Sequence, residues 1–170
     1  MKSQTIIGID PGSRATGFGV VESSGSSLHC LGAGVIRVSG ETVFANRLDR
    51  LYSGVAKAIE QYAPTVFAIE DLFFARNAKS ALKLGHARAA AILAAVHHGL
   101  PVYEYTPLAI KKAVVGYGKA EKGQVQQMVR ILLNLCSLPA QDAADALAVA
   151  ICHANTSRMA LKASVAINVL

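Results

Sequence analysis

The order in which strand-like and helix-like segments follow one another constrains this chain more than any other feature. Gln4 to Asp10 is rich in β-branched residues and stops at Pro11-Gly12, which reads as an opening strand closed by a turn. Gly17 to Glu22 and Leu28 to Val38 read as two more strands around the turn Ser23-Ser24-Gly25-Ser26-Ser27, so the sheet begins with antiparallel hairpins. The period then changes. From Thr42 to Tyr62 the apolar residues Val43, Phe44, Leu48, Leu51, Tyr52, Val55 and Ile59 follow helical spacing, with Thr42 as the N-cap and Pro64 as the stop. Val66 to Glu70 is a short buried strand, and Asn77 caps an Ala-rich helix ending near Gly99. Pro101 opens the strand Val102 to Tyr105, and Pro107 opens a helix that Gly116-Tyr117-Gly118 interrupts. Helices from Lys122 to Leu135 and from Gln141 to His153 complete the pattern. Hairpins followed by strand–helix alternation predict one α/β domain, a five-stranded mixed sheet flanked by helices. That domain takes residues 1–156, and residues 157–170, weakly patterned, read as a poorly structured C-terminal tail.

Composition removes several classes of function. The three cysteines, Cys30, Cys136 and Cys152, are odd in number and far apart, which argues against a disulfide framework and for a reducing, cytoplasmic setting. The longest uninterrupted apolar run, Ala89 to Val96, is far below the ~20 residues of a membrane span. His97-His98 precedes a glycine at a helix end, where cations are favourable, and no His or Cys shows zinc-ligand spacing. The charge balance is positive. Seventeen Lys and Arg face eleven Asp and Glu, which gives +6. The whole surplus lies between Asp71 and Arg130, where nine Lys and Arg stand against three acids. A basic middle segment of this kind implies a nucleic-acid backbone as partner.

With only eleven acids, each can be weighed. Asp10 ends the first strand in Gly8-Ile9-Asp10-Pro11-Gly12. Asp-Pro-Gly is ordinary turn chemistry, but alternation also puts Ile6, Gly8 and Asp10 on one sheet face. Glu70 ends the second buried strand on the face of Val66 and Ala68. If these two strands are parallel neighbours, their carboxyl ends lie together, where ligand sites of open α/β sheets form. Asp142 and Asp145 share one helix face at i and i+3. The helix dipole accounts for Asp142 alone, whereas Asp145, in a stretch of Ala and Leu that must pack, needs a cationic partner or a metal. Clustered carboxylates repel one another unless a cation neutralises them, and an all-oxygen donor set suits Mg²⁺ or Mn²⁺. Two such ions can activate a water and stabilise the leaving oxygen of a phosphodiester.

The motifs Ile9-Asp10-Pro11-Gly12-Ser13-Arg14, Phe67-Ala68-Ile69-Glu70, Asn77-Ala78-Lys79-Ser80-Ala81-Leu82-Lys83-Leu84-Gly85, Val114-Val115-Gly116, Ala120-Glu121-Lys122 and Asp142-Ala143-Ala144-Asp145-Ala146-Leu147-Ala148 resemble those of the RuvC family of bacterial Holliday junction resolvases. They occur in the family's order from about residue 4 to residue 155. The resemblance implies an RNase H-like fold, a homodimer, and paired nicking of four-way junction DNA that depends on Mg²⁺, with Mn²⁺ able to substitute and two ions per site. It implies Asp10, Glu70, Asp142 and Asp145 as metal-binding catalytic carboxylates, Lys111 and Lys122 as basic residues near the scissile phosphate, and Phe73 as an aromatic against junction bases. It also implies a RuvA–RuvB branch-migration complex as partner. His86 departs from the pattern, since many members carry Gln there.

Residue chemistry adds DNA contacts to that set. Phe73 and Phe74, on a loop beside the acids, would wedge against unstacked bases, although two core rings fit the sequence equally well. Lys119 and Lys122 follow a flexible Gly116-Tyr117-Gly118 and read as phosphate contacts or as solvated surface. Arg76, Lys79 and Lys83 lie in the basic segment and join the DNA-binding set. The Ala/Gly-rich helix after Asn77 would let two copies approach closely, or would pack inside its own domain. Two other readings remain open: an ATPase of the actin and sugar kinase superfamily, whose phosphate loop resembles Asp10 to Gly17, and a junction-binding protein without catalysis.

Overall fold

The computed structural model describes residues 3–71 and 78–167. Five strands, β1 (Gln4–Asp10), β2 (Ala15–Ser24), β3 (Ser27–Arg37), β4 (Val66–Glu70) and β5 (Val102–Tyr105), form one sheet in the order β3-β2-β1-β4-β5. β1 pairs antiparallel with β2 and parallel with β4, and β4 pairs parallel with β5. The mixed sheet and its order are the RNase H-like arrangement implied by the resemblance. The β2–β3 hairpin pairs as far as Ser24 with Ser27, so its loop is two residues, shorter than the five-residue turn expected. Gly25, at φ 58°, makes that tight turn possible.

Both faces of the sheet are covered, which explains the near-continuous apolar β1 and β4. Alternation divides the core. Ile7, Ile9, Phe67 and Ile69 pack on the face covered by α1 (Phe44–Tyr62) and α2 (Ala78–His97). Ile6, Val66 and Ala68 pack on the face covered by α3 (Pro107–Val115), α4 (Lys122–Leu132) and α5 (Gln141–Ile167). The buried part of α5 is apolar on nearly every side, as befits a helix between a sheet and two other helices.

Helix ends show where local chemistry differed from expectation. α1 starts at Phe44 with Val43 as its N-cap, because the Glu41 carboxylate accepts the Val43 N–H at 3.2 Å, and Thr42 does not cap it. Thr106 caps α3 by accepting the Ala109 N–H at 3.2 Å, with Pro107 in the first turn as expected. α4 stops at Leu132 rather than Leu135, where Asn134 turns to φ 49° and the Leu135 N–H bonds the Arg130 carbonyl at 2.9 Å. α5 continues past His153 to Ile167, across the boundary drawn between residues 156 and 157. Arg158 accounts for part of this, bonding Ala154 O through Nε and Ser26 O through its terminal nitrogen. The cap expected at Asn77 lies outside the described residues. Among the described residues no helix is long and apolar enough to cross a membrane.

Candidate active site

Asp10 and Glu70 meet because β1 and β4 are parallel neighbours in register, with Ile9 opposite Ile69, so the next residue of each strand ends on the same edge and the same face. That face looks onto α5. Three glycines set how near α5 comes. A Cβ on Gly8 would lie 2.2 Å from the Ala146 carbonyl oxygen, one on Gly17 1.9 Å from the Asp142 carbonyl oxygen, and one on Gly19 2.7 Å from the Leu147 nitrogen. The backbone of α5 therefore rests on the backbone of β1 and β2, and its first two turns carry Asp142 and Asp145 to the strand ends.

Asp10, Glu70 and Asp145 line a cleft of about 120 Å³ together with Lys111 of α3 and Lys122 of α4. Pro107, Ile110, Val125 and Ala148 form its apolar wall. Lys122 Nζ lies 3.8 Å from Asp145 Oδ2. The Asp10 and Glu70 side chains interact directly, which raises Asp10 and lowers Glu70. Burial is the largest influence on all three carboxyls. Burial first, then the bond to Glu70 and the charges of Glu70, Asp145 and Asp142, push Asp10 up to about 8. Glu70 is raised by burial and by Asp145, against lowering by the Asp10 bond, Lys122 and Lys111. Asp145 is raised by burial and Asp142, against lowering by Lys122 and Lys111. The two lysines do not cancel this upward push, and the carboxyl oxygens are the donors that hard divalent cations take. Asp142 adds its charge to the site without lining the cleft. Among the described residues no three acids, His or Cys close tightly enough to enclose an ion. Two of the acids face each other, and Lys122 lies beside the third.

The expected DNA contacts separate into groups. Lys111 and Lys122 are in the cleft. Lys119 is exposed on the loop between α3 and α4, outside the cleft lining. Lys79 and Lys83 are exposed near the start of α2. Phe73, Phe74 and Arg76 lie outside the described residues. His86 stacks edge-on against Phe44, with ring centroids 5.3 Å apart. A larger cavity of about 770 Å³ opens at the other end of the sheet, beside Ser3, Thr65 and His153, and no acid lines it. The perturbed carboxyls and two lysines converge in the smaller cleft, which makes it the candidate chemical site.

Two residues near the site escaped the reading of the sequence. Thr16, fully buried, bonds both the N–H and the carbonyl of Gly12 and so pins the loop that leaves Asp10. Arg88 of α2 bonds the Glu70 carbonyl at 3.4 Å. The available signal for Arg88 was a cation beside the buried Ala87, Ala90 and Ala91.

The family model for "Crossover junction endodeoxyribonuclease RuvC" matches residues 6–153. The chain is 58% identical over 153 residues to the crossover junction endodeoxyribonuclease RuvC of Vibrio vulnificus strain YJ016, covering 90% of this chain and 88% of that one. It is 54% identical over 154 residues to the RuvC of Geobacter sp. strain M21, covering 91% and 94%. A solved structure of Thermus thermophilus RuvC in complex with a Holliday junction substrate superposes with a TM-score of 0.87 at 36% identity, covering 92% of this chain and 96% of that one. With motif order and sheet order already in agreement, these matches assign the chain to the RuvC family of crossover junction endodeoxyribonucleases.

Proposed function

We propose that this chain is a structure-selective endonuclease that resolves Holliday junctions by paired, symmetric nicks through metal-dependent phosphodiester hydrolysis, in DNA recombination and repair in the cytoplasm. Nucleases of the RuvC family depend on metal. The observation that carries the reading is the convergence of Asp10, Glu70, Asp145, Lys111 and Lys122 on one cleft. Asp10, Glu70, Asp142 and Asp145 are the carboxylates that would hold Mg²⁺, with Mn²⁺ able to substitute and two ions per site. What the bound cations supply is activation of a water and stabilisation of the leaving oxygen. The chain does the rest. Loss of the Asp10 proton frees both members of the Asp10–Glu70 pair as donors. Lys111 and Lys122 approach the phosphate from α3 and α4 and stabilise charge as it develops there. The water attacks in line and leaves 3′-hydroxyl and 5′-phosphate ends. Lys79, Lys83 and Lys119, with Phe73, Phe74 and Arg76, extend the DNA surface around the cleft.

A two-fold substrate calls for two copies of one cleft, hence a homodimer. Leu82, Ala89, Leu93 and Val96 are exposed along one stripe of α2 and offer it an apolar face. Branch-migration proteins of the RuvA–RuvB type are the partners that would deliver the junction. The test compares cleavage of labelled four-way and linear duplex DNA, with and without Mg²⁺. The wild type should nick the junction in pairs. Asp10→Asn should bind it and leave it intact, and normal cutting by that variant would sink the assignment.

A further inference from the structure

Arg88 reaches the metal-ligand candidate Glu70 from the wrong side of the sheet for catalysis. In β4 and β5, Ala68, Glu70 and Tyr105 belong to the α5 face, while Ile69 and Val102 belong to the α2 face. By the same alternation Asp71 and Glu104 point toward α2, and there they find Arg88. Its guanidinium bonds the Glu104 carboxylate and lies 3.8 Å from Asp71 Oδ1, while its Nε donates to the Glu70 carbonyl at 3.4 Å. The Asp71 N–H in turn bonds the Tyr105 carbonyl at 2.8 Å, which closes the β4–β5 edge where Glu70 sits. Arg88 is only 17% exposed. Its bond to Glu70 is made to the main-chain carbonyl and not to the carboxylate. Its influence on Glu70 therefore runs through the main chain.

We propose that Arg88 is a positioning residue for the cleavage reaction. It fixes the carbonyl of Glu70, and with it the direction in which the Glu70 carboxylate enters the cleft, by clamping the end of β4 to α2 and to Glu104. The proposal rests on the reading of Glu70 as a metal-holding carboxylate. A surface ion pair would be the ordinary account of Arg88 and Glu104. Three features set this pair apart: the guanidinium is mostly buried, one of its donors is spent on a main-chain carbonyl, and that carbonyl belongs to the site residue. A planar fork holds separate donors at fixed spacing for the carbonyl and the carboxylate, whereas an ammonium concentrates its donors at one freely rotating point. The clamp also links the cleft to α2, which carries Lys79 and Lys83, so DNA held at the start of α2 is joined mechanically to Glu70.

The test measures single-turnover cleavage of a four-way junction at saturating enzyme across a Mg²⁺ titration, with junction affinity measured separately in EDTA. Groups that orient a metal ligand typically change activity or metal affinity by about 10- to 100-fold when removed. Arg88→Ala should slow cleavage by about that factor and raise the half-saturating Mg²⁺ concentration, with junction affinity held within about twofold. Arg88→Lys, which keeps the charge, should remain slow. Glu104→Gln, which leaves Arg88 and Glu70 in place, should fall in the same direction by a smaller factor and serves as the measurement if the alanine variant does not fold. A wild-type rate and Mg²⁺ requirement in Arg88→Ala or Glu104→Gln overturns the proposal. So does full rescue by Arg88→Lys, or a loss matched entirely by a lower folded fraction in thermal melts at the assay temperature. If the wild type itself binds the junction and does not cut it with Mg²⁺, the nuclease reading fails rather than the role of Arg88.

Discussion

Replacing Asp10 by Asn should stabilise the metal-free protein, and should do so only above a definite pH. The Asp10 carboxyl, normally near 3.8, is held at about 8 by burial first and then by Glu70, Asp145 and Asp142. A carboxyl raised in the folded state contributes stability that is complete below its unfolded value and is lost as pH rises through its folded value. For Asp10 the window runs from about pH 4 to about pH 8. At ~1.4 kcal/mol per tenfold change in proton affinity, complete ionisation costs on the order of 5 kcal/mol, and relaxation and solvent reduce this to roughly 2–4 kcal/mol. Asn keeps the shape of the side chain, still donates to Glu70 and never ionises. In EDTA at pH 8.5 to 9, Asp10→Asn should then melt above the wild type by roughly 5–15 °C, taking ~2–4 °C per kcal/mol for a domain of this size. At pH 4 the two should nearly coincide. Mg²⁺ should close the gap by stabilising the wild type alone, with protons released on binding and apparent affinity rising with pH toward 8. The assay is thermal melting across pH for both proteins, with EDTA and with Mg²⁺. Equal melting temperatures in EDTA across the whole range would refute the reasoning, because the carboxyls would then not be held against their own charge.

Two further outcomes follow from the same geometry. Lys122→Ala removes the ammonium 3.8 Å from Asp145 and should slow cleavage about tenfold while lowering the slope of log affinity against log salt by about 0.9; an unchanged rate and slope in a salt series would remove Lys122 from the phosphate. Leu93→Glu places a charge in the exposed apolar stripe of α2 and should weaken self-association by at least about tenfold, ~1.4 kcal/mol, converting paired nicks into unlinked single ones; sedimentation and a plasmid-borne junction assay read both, and a stable dimer would send the interface elsewhere.

How much of this was legible in the chain depended on the range of the interaction. Asp10 and Glu70 could be paired from sequence on the condition that their strands are parallel neighbours, because each ends an apolar strand of known alternation; the β1–β4 pairing itself, across β2, β3 and α1 in the chain, came from the structure. Asp145 could be singled out because an acid in an Ala/Leu helix is anomalous. The α1 cap was misplaced by one residue: Glu41 takes the Val43 N–H, and the helix starts at Phe44 with no side-chain cap. The length of α5 was missed because its later turns are weakly patterned, and Arg158 secures them against Ser26, far away in the chain. Arg88 was counted only as a charge. Its partners Glu70, Asp71 and Glu104 come from two strands, and which of them a helix residue meets is decided by sheet register.

The glycines of β1 and β2 connect this fold to its chemistry. An acid cluster held against its own repulsion needs a force that prevents its members from separating, and here that force is the packing of α5. Ile6, Leu147 and Ile151 are fully buried at the contact between α5 and the sheet, and each such side chain contributes roughly 1.5–3 kcal/mol. Three of them together contribute roughly 4.5–9 kcal/mol, more than the roughly 2–4 kcal/mol that ionising Asp10 costs. That contact forms only because Gly8, Gly17 and Gly19 leave no Cβ in the way. An alanine at Gly17 would have to displace the Asp142 carbonyl, and with it the first turn of α5, before any carboxylate was altered. The same close packing that excludes water from the core thus holds Asp145 near Asp10 and Glu70 with only Lys111 and Lys122 to offset their charge, and it makes the cleft a receptor for cations rather than a surface from which acids could simply turn away.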